Sequence, residues 1–366
     1  MSETTGREAP GARVPLYERI LALHLEEPDG PLPRPMRRAL ERRHPRHPEP
    51  EAPEAGHRRT GADVAVLLDE HFARPGARPG DLLHALHTRY LPIHPDEHIR
   101  AAAERADPEL VRATARWLVR RGGDHCALAV GLALLAVAGT EDDTSLIRTC
   151  GLLSSWYGAL AAHALERLPG SAEHLLWLAE RVEEWGHVYV VEALCGLGED
   201  PVVRPWLLRR ACRGDVLDGY IVGPVARAAR IHEVITRPDA DAEVVEHTGQ
   251  LLQTMTECAG MGMTLSHYPH AETVLAAHLR HLERARPGAR AFTTVAWLVR
   301  GLAGALDAEA VRPVERWRPY AQGYAALLDR ADWCEAARQA RIAQDPEITW
   351  LLEREWGRRL RAFASL

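Results

Sequence analysis

Histidine, cysteine and glutamate are the residues of this chain that could do chemistry, and their spacing limits what they can do. His94-Pro-Asp-Glu-His98 matches the H-x-x-E-H string in which two histidines hold zinc from one helix. Pro92 and Pro95 put His94 ahead of any helix, so its ring and that of His98 are not expected to share a face. His84/His87 and His278/His281 are three residues apart, a step that can bring two ligands together. Among 19 histidines such pairs arise by chance, and they read as solvated. The six cysteines, at 126, 150, 195, 212, 258 and 334, form no C-x-x-C pair and no zinc signature. Cys195 and Cys212 sit in apolar helical patterns, where a free thiol acts as a small core residue. All 45 basic residues are arginine, which removes the lysine of a phosphate-binding loop or a Schiff base. There is no nucleophile elbow and no dinucleotide fingerprint. We therefore expect no catalytic residue, no metal site and no cofactor.

Binding surfaces are the better prospect. In a helix over 186–197, Glu192 shares a face with Trp185, Val188 and Tyr189, because residues three, four and seven apart line up. A carboxylate there needs a partner or a water. The candidate is His163, one 29-residue step earlier, so a His163–Glu192 pair or a shared water is expected. Tyr157, His163, His187, Tyr189, Glu192 and Tyr220 would then line one groove. A second candidate is Glu257–His270, the least helix-like stretch of its region. Its Gly260 and Gly262 permit unusual backbone angles, and His267, Tyr268 and His270 follow on a loop.

The elements that must hold these residues are helices throughout; no alternating strand pattern occurs. The stretch 1–12 reads as a disordered tail and Val14–Leu25 as one amphipathic helix. From Pro28 to Arg59, dense proline predicts an extended, solvated linker, with one turn at Met36–Arg43. Short helices are expected at Ala62–Phe72, Pro79–Tyr90 and Asp96–Arg105. Asp107-Pro108 opens the next helix with an N-cap and a first-turn proline, and Asp124–Ala138 is its apolar partner. Helix pairs follow at 141–168, 171–197 and 201–230, then longer helices at Ala240–Cys258, Ala271–Arg286, Arg290–Ala305 and Ala308–Leu328. Ala331–Ala343 and Glu347–Ala364 close the chain. The division is thus 1–61 tail and linker, 62–106 N-terminal helical cap, 107–238 regular repeats, and 239–366 longer helices with a C-terminal cap.

Those helix pairs repeat. A step of 29 residues sets Trp185 on Trp156 in one direction and Trp177-Leu178 on Trp206-Leu207 in the other. With the Asp-Pro starts at 107 and 200 and the small residues Ala164 and Ala193 at equivalent places, the units resemble HEAT repeats. That resemblance covers about 107–237 and implies an all-α fold, an α-solenoid of stacked antiparallel helix pairs whose concave face binds a partner. The tryptophans of the W-L pairs at 117, 177, 206 and 297 are expected in the core. A metal-dependent branch, resembling deoxyhypusine hydroxylase, holds iron with several His-Glu dipeptides, whereas His232-Glu233 stands alone in this chain. The HEAT-like alkylpurine DNA glycosylases grip DNA with a basic concave face, and the net charge of −6 disfavours nucleic acid here. The longest apolar run, Cys126–Ala138, is too short for a membrane span, which takes about 20 residues. There is no apolar signal core near Met1, and the cysteine usage suits a reducing compartment, so a cytoplasmic protein is expected. The reading that results is a non-catalytic scaffold for a protein or peptide partner.

Overall fold

Aspartates cap five of the described helices. Asp96, Asp107, Asp124, Asp241 and Asp345 each accept backbone N–H groups of the following turn. This satisfies donors that an isolated helix end leaves unpaired. The computed structural model describes residues 14–42, 61–87, 89–304 and 314–364. Among the described residues all regular structure is helical, and the chain divides into two compact units, Met1–Ala193 and Leu194–Leu366. The expected tail at 1–12 and much of the expected linker, 43–60, lie outside the described residues.

The first unit contains α1 (Leu16–Glu26), α2 (Arg34–Glu41), α3 (Ala62–Ala73), α4 (Gly80–Leu86), α5 (Glu97–Arg105), α6 (Pro108–Arg121), α7 (His125–Ala138), α8 (Thr144–Gly151), α9 (Ser154–Glu166), α10 (Ser171–Ala179) and most of α11 (Glu184–Gly196). The apolar α7 is its axis, packed by α6 and α5 on one side and by α9 on another. Eleven of its 14 residues are buried, which is why it shows no amphipathic stripe. Arginines lock the array. Arg112 donates to the carbonyl of Ala138, the last residue of α7, at 2.7 Å. Arg116 grips both carboxylate oxygens of the fully buried Asp143, at 2.6 and 3.1 Å. Burial alone would raise the Asp143 carboxyl; Arg116 and the Thr140 N–H outweigh it and hold it below the usual range.

The 28–42 stretch departs from the extended, solvated linker that its prolines suggest. Pro33 and Pro35 sit at the N-cap and first turn of α2, where proline costs no helical hydrogen bond. That helix then docks. Arg37, 1% exposed, lies 3.4 Å from Glu183 and 3.2 Å from Glu184, so it is not solvated as a residue of an extended linker would be. Arg34 pairs with Glu183 at 3.1 Å, and Arg181 donates to the Pro28 carbonyl at 2.7 Å. His125 Nε2–H donates to the Leu40 carbonyl at 2.9 Å. Residues 14–42 thus strap the unit, with α1 lying on α6, α7 and α8.

The second unit contains α12 (Val203–Arg210), α13 (Asp218–Ala228), α14 (Ile231–Val234), α15 (Ala242–Glu257), α16 (Ala271–Arg284), α17 (Ala289–Leu302), α18 (Val314–Leu328), α19 (Ala331–Ile342), α20 (Pro346–Leu352) and α21 (Glu355–Arg358). Here α15 and α17 are central: α15 meets α12, α13, α16 and α17, and α17 meets α18, α19 and α20. The single helix expected over Glu347–Ala364 is broken after Leu352. Two histidines are buried in this unit. His247 Nε2 accepts the Cys212 N–H at 3.0 Å, and His278 Nδ1 shares a 2.8 Å hydrogen bond with the Tyr324 hydroxyl. Burial pushes their imidazoles down to about 4 and about 3, so both are neutral.

In the W-L pairs it is the leucine that is buried. Leu118, Leu178, Leu207 and Leu298 are fully enclosed, while Trp117, Trp177, Trp206 and Trp297 are half-buried. Neighbouring helical positions point about 100° apart, so only one of the two can face the core. Trp177 is covered instead by the guanidinium groups of Arg148 and Arg181, at 4.9 and 4.6 Å from the ring centre.

Candidate functional site

Three helices of the first unit, α5, α7 and α9, enclose a cavity of about 300 Å³. Its position follows from helical spacing. Ala133, Ala136 and Val137 share one face of α7, and Leu160, His163 and Arg167 share one side of α9 and its C-cap. The start of α5 brings Glu97, Ile99 and Arg100, anchored by Asp96. That carboxylate caps α5 through the His98 and Ile99 N–H groups at 2.9 and 3.2 Å and accepts the Gly61 N–H at 2.9 Å. Small side chains on α7 leave the space, and Leu160 and Ile99 make its floor apolar.

The rim is charged with both signs. Arg100 is tied to Glu97 at 2.5 Å and to Glu104 at 2.6 Å, and that hydrogen bond holds the Glu97 carboxyl below its usual range. His163 Nδ1 stands 3.5 Å from Glu166 on its own helix. Arg167 is exposed and has no ion-pair partner among the described residues. It is the cation of the rim left open to a ligand.

The rim continues onto α11. His94, two residues before Asp96, meets the Tyr189 ring edge-on at 5.2 Å, and Trp185 stacks on Tyr189 at 6.0 Å. Close approach of α9 and α11 brings this about: a Cβ on Gly158 would lie 3.1 Å from Gly186 Cα and 3.3 Å from the Tyr189 ring. Partial desolvation, with Glu192 adding to it, raises the Tyr189 hydroxyl, and desolvation also raises the Glu192 carboxyl.

The expected His163–Glu192 pair is not formed. His163 turns towards the cavity and Glu166, while Glu192 is exposed. A 29-residue step relates positions along the helices, but His163 faces the helices before it in the chain rather than α11. Of the other residues singled out in this unit, Tyr189 lies on the extended rim, and Tyr157 and His187 are buried at 1% and 5% exposure. The Tyr157 hydroxyl donates to His125 Nδ1 at 2.6 Å, since His125 Nε2 carries the proton given to Leu40.

The remaining candidates belong to the second unit. Tyr220 is 36% exposed on α13. The 258–264 loop lies on that helix through glycines: a Cβ on Gly219 or Gly223 would press on Met261 or Met263. His267 Nδ1 shares a 2.8 Å hydrogen bond with Thr264 Oγ1. Tyr268 is buried, its hydroxyl has no hydrogen-bond partner among the described residues, and burial pushes it up to about 12. His270 stacks flat on His232, with ring centres 3.6 Å apart; desolvation first and His270 second lower the His232 imidazole.

Sequence reasoning found His163 and Tyr189 but missed Arg100, Arg167 and the alanines of α7. The signal for Arg167 was its place four residues beyond His163, on the same side of the helix. One group of possible metal ligands also escaped it: His87, Asp124 and Cys126 converge in the first unit, with ligand atoms within 4.8 Å of one another. No family model, no curated protein and no solved structure matches this chain.

Proposed function

We propose that this is a non-catalytic, HEAT-like α-solenoid scaffold that binds a peptide segment of a protein partner across α5, α7 and α9. The observation that carries the reading is the cavity with an apolar floor at Ala133, Ala136, Val137 and Leu160 and a rim of Arg100, His163, Arg167 and Glu97. Such a surface takes one apolar side chain into the floor and pairs a nearby carboxylate with Arg167. Tyr189, Trp185 and His94 extend it with aromatic area, which suits an extended segment longer than a few residues. The solenoid reading draws support from ties that recur at regular separations, such as Arg116 to Asp143, 27 residues apart, and Ser154 to the Glu183 carbonyl, 29 apart.

The test is affinity capture from native lysate with the wild-type chain and with Ala133→Trp and Arg167→Glu. A stoichiometric protein partner that is retained by the wild type and lost from both variants is the expected result. No stoichiometric partner, or one retained equally by both variants, overturns the reading.

A further inference from the structure

An aspartate, a cysteine and a histidine meet at the start of α7. Asp124 divides its carboxylate: Oδ1 accepts the Ala127 N–H at 3.0 Å and caps the helix, which leaves Oδ2 directed at His87 Nε2, 3.1 Å away. Cys126, two residues on and 2% exposed, brings its Sγ to the same point, so the three ligand atoms lie within 4.8 Å of one another. We infer that His87 Nε2, Asp124 Oδ2 and Cys126 Sγ form a binding site for a divalent transition-metal ion of the zinc type.

The ligand chemistry selects the metal. A nitrogen, an oxygen and a sulfur together suit a borderline-soft ion, whereas calcium and magnesium take oxygen alone. Zinc bonds of about 2.0–2.3 Å separate tetrahedral ligands by roughly 3.4–3.8 Å. The ligand atoms here, 3.1 Å apart for His87 Nε2 and Asp124 Oδ2 and all within 4.8 Å of one another, bracket that range. Charge balances as well. Carboxylate and thiolate neutralise a dication, and both anions sit at a helix N-terminus, where the peptide dipoles favour negative charge. A cysteine ligates as its thiolate, so binding releases one thiol proton to solvent.

The surroundings supply the supporting shell. Asp124 is held by its capping bond, and the intervening His125 is fixed by Tyr157 and Leu40 rather than competing for the site. The Asp124 side chain is 11% exposed and that of His87 29%, so one side stays open for a water as fourth ligand. A metal here would clamp α4 and the turn after it onto α7. The sequence hid the site because His87 lies 37 positions from Asp124, outside any ligand spacing.

The test uses full-length protein stripped with EDTA and titrated with Zn²⁺ and Co²⁺. One metal per chain is expected, with a thiolate-to-cobalt charge-transfer band and the visible bands of a four-coordinate site. Cys126→Ser should abolish the charge-transfer band, and His87→Ala should weaken Zn²⁺ binding at least about tenfold. His270→Ala, in the stacked pair of the second unit, should change neither. Absence of the band in the wild type overturns the inference. So does a band and affinity that persist in Cys126→Ser and His87→Ala. Far-UV circular dichroism checks each variant, and His87→Ala, at a half-exposed residue, decides the matter should Cys126→Ser fail to fold.

Discussion

From α6 to α11 the first unit ties its helices together over separations of 24 to 32 residues: Arg116 to Thr140 spans 24, Arg148 to His174 26, Arg116 to Asp143 27 and His125 to Tyr157 32. In the second unit several ties that reach α16, α17 and α18 span 44 to 49: Glu246 to Arg290, Glu272 to Arg316, His278 to Tyr324, Glu283 to Arg330 and Leu275 to Tyr324. The chemistry of the buried layer changes with the spacing. The first unit encloses charge and compensates it, as in Arg116–Asp143 and in Arg37 against Glu183 and Glu184. The second buries the imidazoles His247 and His278 and one carboxyl, Asp218, met by three backbone N–H groups, while the first also buries His71 and His187. A neutral ring can be satisfied by one or two hydrogen bonds without a counter-charge. The two solutions differ in what acid does to them.

Acid separates the units most strongly. A histidine whose folded value is depressed contributes stability that is complete above the unfolded value of about 6.5 and is lost as pH falls below it. With His247 at about 4 and His278 at about 3, each costs about 2 kcal/mol by pH 5. Asp218 works the other way: burial pushes its carboxyl up to about 6 against three backbone N–H donors, and its protonation offsets about 1 kcal/mol. The second unit should therefore lose about 3 kcal/mol between pH 7 and pH 5. Asp143, held low, loses its share only below about pH 4, and His71, lowered by burial and then by Arg74, adds a smaller early loss to the first unit. Hydrogen exchange should show protection falling in α15 and α16 well before α6 to α9; equal loss in both would erase the distinction.

Arg116→Ala comes next. It strands a buried carboxylate in the first unit and should cost about 2 kcal/mol, less than for a fully enclosed pair because the guanidinium is 34% exposed. Urea unfolding followed by exchange in α6 and α8 measures it, and a loss confined to the second unit would contradict the assignment. His278→Gln sharpens the acid contrast. It should cost about 1 kcal/mol at pH 7 through a weakened bond to Tyr324, yet reduce the acid sensitivity of the second unit by about two thirds. An unchanged pH profile would show that His278 does not carry it. Glu192→Gln is the smallest effect, under about 0.5 kcal/mol, because the exposed carboxylate makes no bond to His163. A loss above 1 kcal/mol on thermal unfolding would restore the discarded pair.

Helix starts and stops were legible because they are local. Asp107-Pro108 caps α6, Gly122 ends it, and α19 spans Ala331–Ile342 against an expected Ala331–Ala343. The fate of 28–42 was not legible. Proline density describes what a segment cannot do alone, whereas Arg37 is decided by the acids of residues 183 and 184, some 150 positions away. The candidate site was half legible: His163 and Tyr189 stood out by type, but Arg167 and Ala133 are ordinary residues until three helices meet around them.

By itself the sequence determined that this chain is helical, where most helices begin, and which residues are apolar enough to face inward, since caps and 3.6-residue periodicity act within a few positions. Tertiary structure alone decided which way His163 turns, whether Trp177 or Leu178 is buried, and that His87 meets Asp124 and Cys126. Those outcomes depend on the rotation of one helix against another. That rotation is set by side-chain packing between segments far apart in the chain, which no local pattern encodes.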